Sequence, residues 1–319
     1  HRVDRRQRQM CIRDSDATDS KLEENLISIG FQIDRKYSDN IADLNLNIAR
    51  AQGIILRSRI TLNDEILKKA LNLKWIGRLG SGLENIDINF ARKQGIACFS
   101  AAQGNANSLA EHTLGLLLNL AHRISSSNQE IQSGLWQRKE NIGWEIKGST
   151  VGIIGFGPMG SAFASKLQCM DVKILAHDKY IDDFAPEYVD EVDLKTLQAS
   201  SDIISVHLPL TNENLDFINT SFLEECKKLK ILLNTSRGKI LNTEDVFNFI
   251  KKDKLQGLGL DVLDIEPKSL NLSEVLLSDR KDLIKHSRVL ITPHIAGWSK
   301  QSFPKMGDIL FDEIVKILS

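Results

Sequence analysis

Residues 150–160 read TVGIIGFGPMG, a short apolar run followed by three glycines within six positions. A chain gives up side chains so abruptly where its backbone must turn hard and let something come close. Gly155, Gly157 and Gly160 form G-x-G-x-x-G at the point where an apolar strand gives way to a helix. In that position the first glycine permits the turn and the second lets the backbone meet a pyrophosphate. The third lets the helix lie close on the sheet, and the helix N-terminus, with Pro158 and Met159 in the turn, faces the negative charge. The next strand, VKILAHD, ends on Asp178, 18 residues past Gly160. A carboxylate there accepts hydrogen bonds from a ribose diol and repels a 2′-phosphate, which favours NAD over NADP. His177 and Lys179 flank it, and the lysine works against that discrimination. The plainer reading makes the glycines an ordinary turn and Asp178 a solvated strand end; the strand–turn–helix placement argues against it.

From this turn onward, short strands rich in Val, Ile and Leu alternate with helical stretches. Strands are expected at 151–154, 172–177, 202–207, 230–234, 256–261 and 289–292, with helices at 159–169, 192–199, 219–227 and 243–253. Nearly all-apolar strands are those of a parallel sheet covered on both faces, so six of them predict a doubly wound sheet. Upstream, 54–57, 75–78 and 96–99 are expected strands, separated by helices near 62–72 and 86–94. That is the same β-α-β rhythm in a smaller domain. A Ser20–Glu23 capping box predicts a helix through Ile29. A Ser108–Glu111 signal opens another to about His122, apolar on nearly every side and therefore expected to be buried. A last helix over 302–318 lies beyond the final strand, where it can cross back to the first domain. The expected fold is α/β with two Rossmann-like domains: a doubly wound nucleotide domain over 104–299, and a smaller flavodoxin-like domain over 16–103 plus 300–319.

Ligands of such sheets bind beyond the carboxyl ends of the strands. Arg237 follows the strand ILLN, Asp261 and Glu266 follow GLGL, and His294 follows VLIT. Three consecutive strands thus deliver an arginine, two acids and a histidine to the edge where a nicotinamide would lie. An arginine fork can hold a carboxylate and polarise a carbonyl. A histidine can move the proton at the reacting oxygen. A neighbouring carboxylate orients the imidazole and favours its charged form. Arg237, His294 and Glu266 suit those tasks in that order. The bland alternatives stay open: Arg237 capping the SRG turn, His294 satisfied at a sheet end, and Glu266 solvated in a polar loop. His207 in VHLPLT fits a supporting place at the cofactor site, and Trp298 an apolar cover near His294.

Formal net charge is −1 and the lysines are dispersed, so no basic face points to nucleic acid. The leucine-rich run from Leu114 to Ala121 is too short to span a bilayer. No hydrophobic leader opens the sequence, so export is not expected and the cytoplasm is the expected compartment. Cys11, Cys98, Cys169 and Cys226 lie far apart without metal-site spacing, and no metal is expected. Residues 1–15, crowded with arginines and lacking apolar periodicity, are expected to be disordered or a non-native leader, with a basic binding tail as the alternative.

Several blocks in fixed order carry a wider resemblance: GRLGSGLENID (77–87), NANSLAEHTLGLLLNL (105–120), the glycine turn, HLPLT (207–211), LLNTSRGKI (232–240), GLDVLDIEP (259–267) and TPHIAGWS (292–299). Over about residues 20–318 the chain resembles the D-isomer-specific 2-hydroxyacid dehydrogenases. The resemblance implies Arg237, Glu266 and His294 as catalytic residues and Asp261 as acceptor for the nicotinamide amide, with His207 and Thr235 also beside the NAD. It implies that Gly80, Ser81 and Gly82 cradle the substrate carboxylate through backbone N–H groups, and that Asn105 is a further substrate contact. Arg57 and Arg78 match phosphate-holding arginines of the subgroup acting on D-3-phosphoglycerate, and Arg138 matches one that reaches a neighbouring subunit's site. The implied substrate is a phosphorylated 2-hydroxy acid and the implied assembly a homodimer, in a short form without a trailing regulatory domain. Rival readings are another D-2-hydroxyacid, such as glycerate/hydroxypyruvate or lactate/pyruvate, a non-catalytic NAD-sensing scaffold, and an inactive product. Three departures stand out: Glu84 in place of a customary aspartate, a long charged passage over 267–288, and no recognisable strand before the KLEENLISIGF helix.

Overall fold

The computed structural model describes residues 9–13, 20–35, 48–57, 60–267 and 277–318. The chain divides into two compact units, one of His1–Asn105 with Trp298–Ser319, the other of Ala106–Pro267 with Asn271–Gly297.

The smaller unit runs β1 (Gln9–Arg13), α1 (Ser20–Ser28), β2 (Phe31–Arg35), β3 (Ala51–Leu56), α2 (Asp64–Leu67), β4 (Trp75–Arg78), α3 (Ile88–Lys93) and β5 (Ala97–Ser100). Its sheet is five-stranded in the order β2-β1-β3-β4-β5, every pair parallel, which is the flavodoxin-like order. β1 corrects an expectation. A strand does precede the KLEENLISIGF helix, and it lies within the expected leader, paired on both edges with Cys11 fully buried. It escapes local pattern because QMCIR is only five residues set among arginines, and its partners stand at 31–35 and 51–55. The rest of the expected leader lies outside the described residues.

The closing helix belongs to this unit as well. It spans Ser302–Leu318 and buries Met306, Leu310 and Ile314 at four-residue spacing in one cluster with Trp75, Leu22 and Leu26. Glu23, expected to cap α1, is paired with Arg35 of β2.

The larger unit holds most of α4 (Ala102–His122), then α5 (Ile124–Gln132), β6 (Thr150–Ile154), α6 (Pro158–Leu167), β7 (Lys173–His177), β8 (Asp190–Glu191), α7 (Leu194–Ser200), β9 (Ile203–Val206) and α8 (Thr220–Glu225). It continues with β10 (Ile231–Asn234), α9 (Thr243–Lys251), β11 (Gly257–Leu260), α10 (Lys281–Ile284) and β12 (Val289–Ile291). The seven strands order as β12-β11-β10-β9-β6-β7-β8, all parallel. The order reverses between β6 and β9, so the crevice that receives ligands in doubly wound sheets opens at the glycine turn. Two apolar clusters cover the strands, one built on Val151, Phe163 and Leu233, the other on Ile204, Leu232 and Leu258.

Helix α4 begins six residues before the expected Ser108 cap. Ser108 sits inside it and donates its hydroxyl to Ala296 O (2.9 Å), a tertiary acceptor that a local capping pattern does not reveal. The helix is also not apolar all round: Ala110, Leu116, Leu117 and Ala121 are buried, while Glu111, Gly115 and His122 are exposed. Among the described residues no helix is long and apolar enough to cross a membrane, and no group of three or more His, Cys, Asp or Glu could hold a metal ion.

Candidate active site

β10, β11 and β12 end side by side, and the loops leaving them carry the three residues expected to do chemistry. Glu266 and His294 meet: His294 Nδ1 lies 2.8 Å from Glu266 Oε2. A carboxylate only accepts, so Nδ1 carries the proton and Nε2 is the basic nitrogen of the neutral ring. Glu266 is held by its own turn, since Leu263 N donates to its Oε1 (2.7 Å) while Glu266 N donates to Leu263 O (3.2 Å). Arg237 follows β10, and its Nη1 donates to Ser236 O (2.7 Å). The next residue, Gly238, packs on the loop that leads to Glu266, where a Cβ would collide with the Leu263 carbonyl group. The backbone therefore brings the Arg237 turn against the Glu266 loop, and a side chain at 238 would force them apart.

His294 has φ 56°, a left-handed conformation that is uncommon for a residue with a side chain. What holds it there is Asp261, which is 1% exposed. His294 N donates to Asp261 O (2.8 Å). The Asp261 carboxylate accepts from Ile295 N (2.9 Å), Ala296 N (2.7 Å) and the Thr292 hydroxyl (2.6 Å). Because that hydroxyl has spent its proton on Asp261, it accepts from His112 Nε2 at 2.8 Å. The acid expected to meet the nicotinamide amide is thus also the clamp of the histidine turn. Sequence reasoning does not single out Thr292 or His112. No periodicity marks them, and His112 sits among leucines of α4 with a partner 180 residues away.

The glycine turn has the shape a dinucleotide needs. Gly155 has φ 88°, and a Cβ on it would stand 2.6 Å from His207 O. A Cβ on Gly160 would collide with Gly155 O, so α6 can approach β6 only without one. Among the described residues nothing lies within 4 Å of a Cβ position on Gly157, which leaves that backbone open to a ligand. Pro158 and Met159 begin α6. Asp178 accepts from Phe156 N (2.8 Å) and Tyr180 N (3.0 Å), which ties the carboxylate to the turn. Lys179 is occupied by Glu213 (2.5 Å). Thr235 is buried with its hydroxyl 3.1 Å from that of Thr113. His207 Nε2 lies 2.8 Å from Ser205 Oγ, while its Nδ1 is buried without a hydrogen-bond partner among the described residues. Burial pushes this imidazole down to about 3. These residues fit NAD: an open backbone at the pyrophosphate position, a fixed carboxylate for the ribose and an orphaned polar atom beside the turn.

In the smaller unit, Arg57 lies over the rings of Trp298 (4.5 Å) and Phe303 (5.1 Å). Trp298 accordingly lies beneath an arginine, in addition to meeting Phe303 edge-on. Arg78 ends β4, and its guanidinium lies where a Cβ on Gly80 would stand. Ser81 and Gly82 follow, both half-buried. Asn105 is buried, its Oδ1 without a hydrogen-bond partner among the described residues. Arg138 is exposed, in the loop after α5.

A parallel sheet whose order reverses at a glycine turn defines a nucleotide-binding α/β protein of the Rossmann class. Residues 114–296 match the family described as "D-isomer specific 2-hydroxyacid dehydrogenase, NAD binding domain", and the chain belongs to that family. It is 33% identical over 290 residues to a D-3-phosphoglycerate dehydrogenase of Archaeoglobus fulgidus, covering 90% of this chain and 53% of the relative. The chain therefore spans about half the length of that relative. It is also 33% identical over 273 residues to a hydroxypyruvate reductase of Thermotoga maritima, covering 85% of this chain and 86% of the relative. Among solved structures, a D-lactate dehydrogenase of Aquifex aeolicus in complex with NAD and lactic acid aligns with TM-score 0.82 and 25% identity, over 97% of this chain and 95% of that one.

Proposed function

We propose that this chain oxidises D-3-phosphoglycerate to 3-phosphohydroxypyruvate with NAD, the opening step of serine synthesis. The observation that carries the chemistry is the Glu266–His294 bond, which leaves Nε2 as the base. His294 removes the hydroxyl proton, Glu266 stabilises the imidazolium that results, and Arg237 polarises the developing ketone. Bound NAD supplies the acceptor for the hydride of carbon 2. Gly80, Ser81 and Gly82 hold the carboxylate and Asn105 contributes a further contact. Arg57 and Arg78 hold the phosphate, and the Trp298 ring beneath Arg57 helps to fix its guanidinium. Ile131, Leu135, Trp136 and Ile142 are exposed apolar residues on α5 and the loop after it, which favours a homodimer with Arg138 reaching the neighbouring site. The cytoplasm is the compartment this reading implies.

A second reading, reduction of hydroxypyruvate, is favoured by coverage: the hydroxypyruvate reductase is matched over 86% of its own length. Steady-state assays with NAD and D-3-phosphoglycerate beside D-glycerate separate the two. Phosphoglycerate should be preferred, and the preference should vanish in Arg57→Gln/Arg78→Gln. Indifference to the phosphate defeats the first reading. His294→Ala should lower kcat by about 10²–10⁴-fold with NAD affinity retained. Near-parental turnover would remove the histidine from the mechanism and leave a nucleotide-binding scaffold.

A further inference from the structure

The larger unit holds a cavity of about 300 Å³ away from the residues described above. Gln256, just before β11, and Val289 and Leu290, at the start of β12, line it, whereas Asp261 and His294 follow those strands. A four-residue strand covers about 13 Å, so the cavity sits at the opposite edge of the sheet from the histidine.

Its lining is cationic. Arg123, Lys285 and Arg288 contribute to it, and among the described residues no carboxylate does. Arg288 is committed to the scaffold, through Ile250 O (2.9 Å) and the exposed carboxylate of Asp253 (2.8 Å). Among the described residues Arg123 uses only Nε, on Asn141 Oδ1 (3.2 Å), which leaves its terminal amino groups. The Lys285 ammonium has no hydrogen-bond or ion-pair partner among the described residues. His286 also lines the cavity, and burial, with Arg288 beside it, holds its imidazole below the ordinary range, so it adds no charge at neutral pH. The first turn of α5 opens here as well, and its partial positive end adds to the same field. Among the described residues, two cations with uncommitted donors and a lining without an acid form a receptor for negative charge. A guanidinium fork beside an ammonium suits a tetrahedral dianion better than a planar monoanion.

We propose that this cavity binds a small phosphate-bearing dianion through Arg123 and Lys285. Calorimetric titration of inorganic phosphate at fixed ionic strength, with NADH saturating the dinucleotide site, tests it. Phosphate should bind, acetate at equal concentration should not, and Lys285→Gln should weaken phosphate at least tenfold. Arg57→Gln/Arg78→Gln should leave that binding intact, which separates this site from the proposed substrate phosphate site. The Lys285 ammonium has no described partner to lose, so its substitution serves even if Arg123→Gln disturbs the helix junction. Phosphate binding unchanged in Lys285→Gln, lost in the Arg57/Arg78 variant, or undetectable at about 10 mM would overturn the proposal.

Discussion

Replacing Asp261 by Asn changes one oxygen to an amino group at a site where three donors converge. The better placement turns the remaining oxygen toward the Thr292 hydroxyl and Ile295 N. The new amino group then faces Ala296 N, so two donors meet and a buried N–H, beside a residue 1% exposed, loses its acceptor. An unsatisfied buried donor costs about 1–3 kcal/mol, and the two retained bonds lose their charge assistance, roughly another 1 kcal/mol. The sum, about 2–4 kcal/mol, is a large share of an ordinary domain's stability. At about 2–4 °C per kcal/mol it lowers the melting temperature by roughly 4–16 °C. Circular dichroism during a thermal scan reads this directly. The same variant loosens Ile295 and Ala296, which hold the turn of His294, so kcat should fall together with stability. A melting temperature within about 1 °C of the parent's, with kcat unchanged, would show that the carboxylate is not the clamp of that turn.

Other substitutions probe the remaining links. Glu266→Gln should lower kcat by about 10²-fold or more while leaving NADH affinity unchanged by fluorescence titration, because the amide cannot stabilise the imidazolium. Gly160→Ala should weaken NADH binding at least tenfold by the same assay, because its Cβ would collide with Gly155 O and push α6 off the strand. His207 gives a pH test. Its imidazole is held neutral down to about 3 in the fold, whereas an unfolded histidine protonates near 6.5. Its contribution to stability is therefore complete above about 6.5 and is lost as pH falls toward about 3. Between pH 7 and pH 5 this one group should lower unfolding stability by roughly 2 kcal/mol, and urea midpoints of His207→Gln should lack that part of the slope.

Much of the architecture is legible in the residues because it rests on local pattern. The glycine turn, the apolar strands over 151–260 and the loops carrying Arg237, Glu266 and His294 follow from residue spacing, since a parallel strand buried on both faces leaves an unbroken apolar run. Spacing and residue type thus specify the kind of sheet and which ionisable residues reach its carboxyl edge. Other features exist only once the chain has folded: QMCIR becomes an interior strand, Ser108 turns to Ala296, and Asp261, Thr292 and His112 set the backbone of His294. Each of those depends on partners far along the chain, and a hydrogen bond between distant residues leaves no period in the sequence for local reasoning to find.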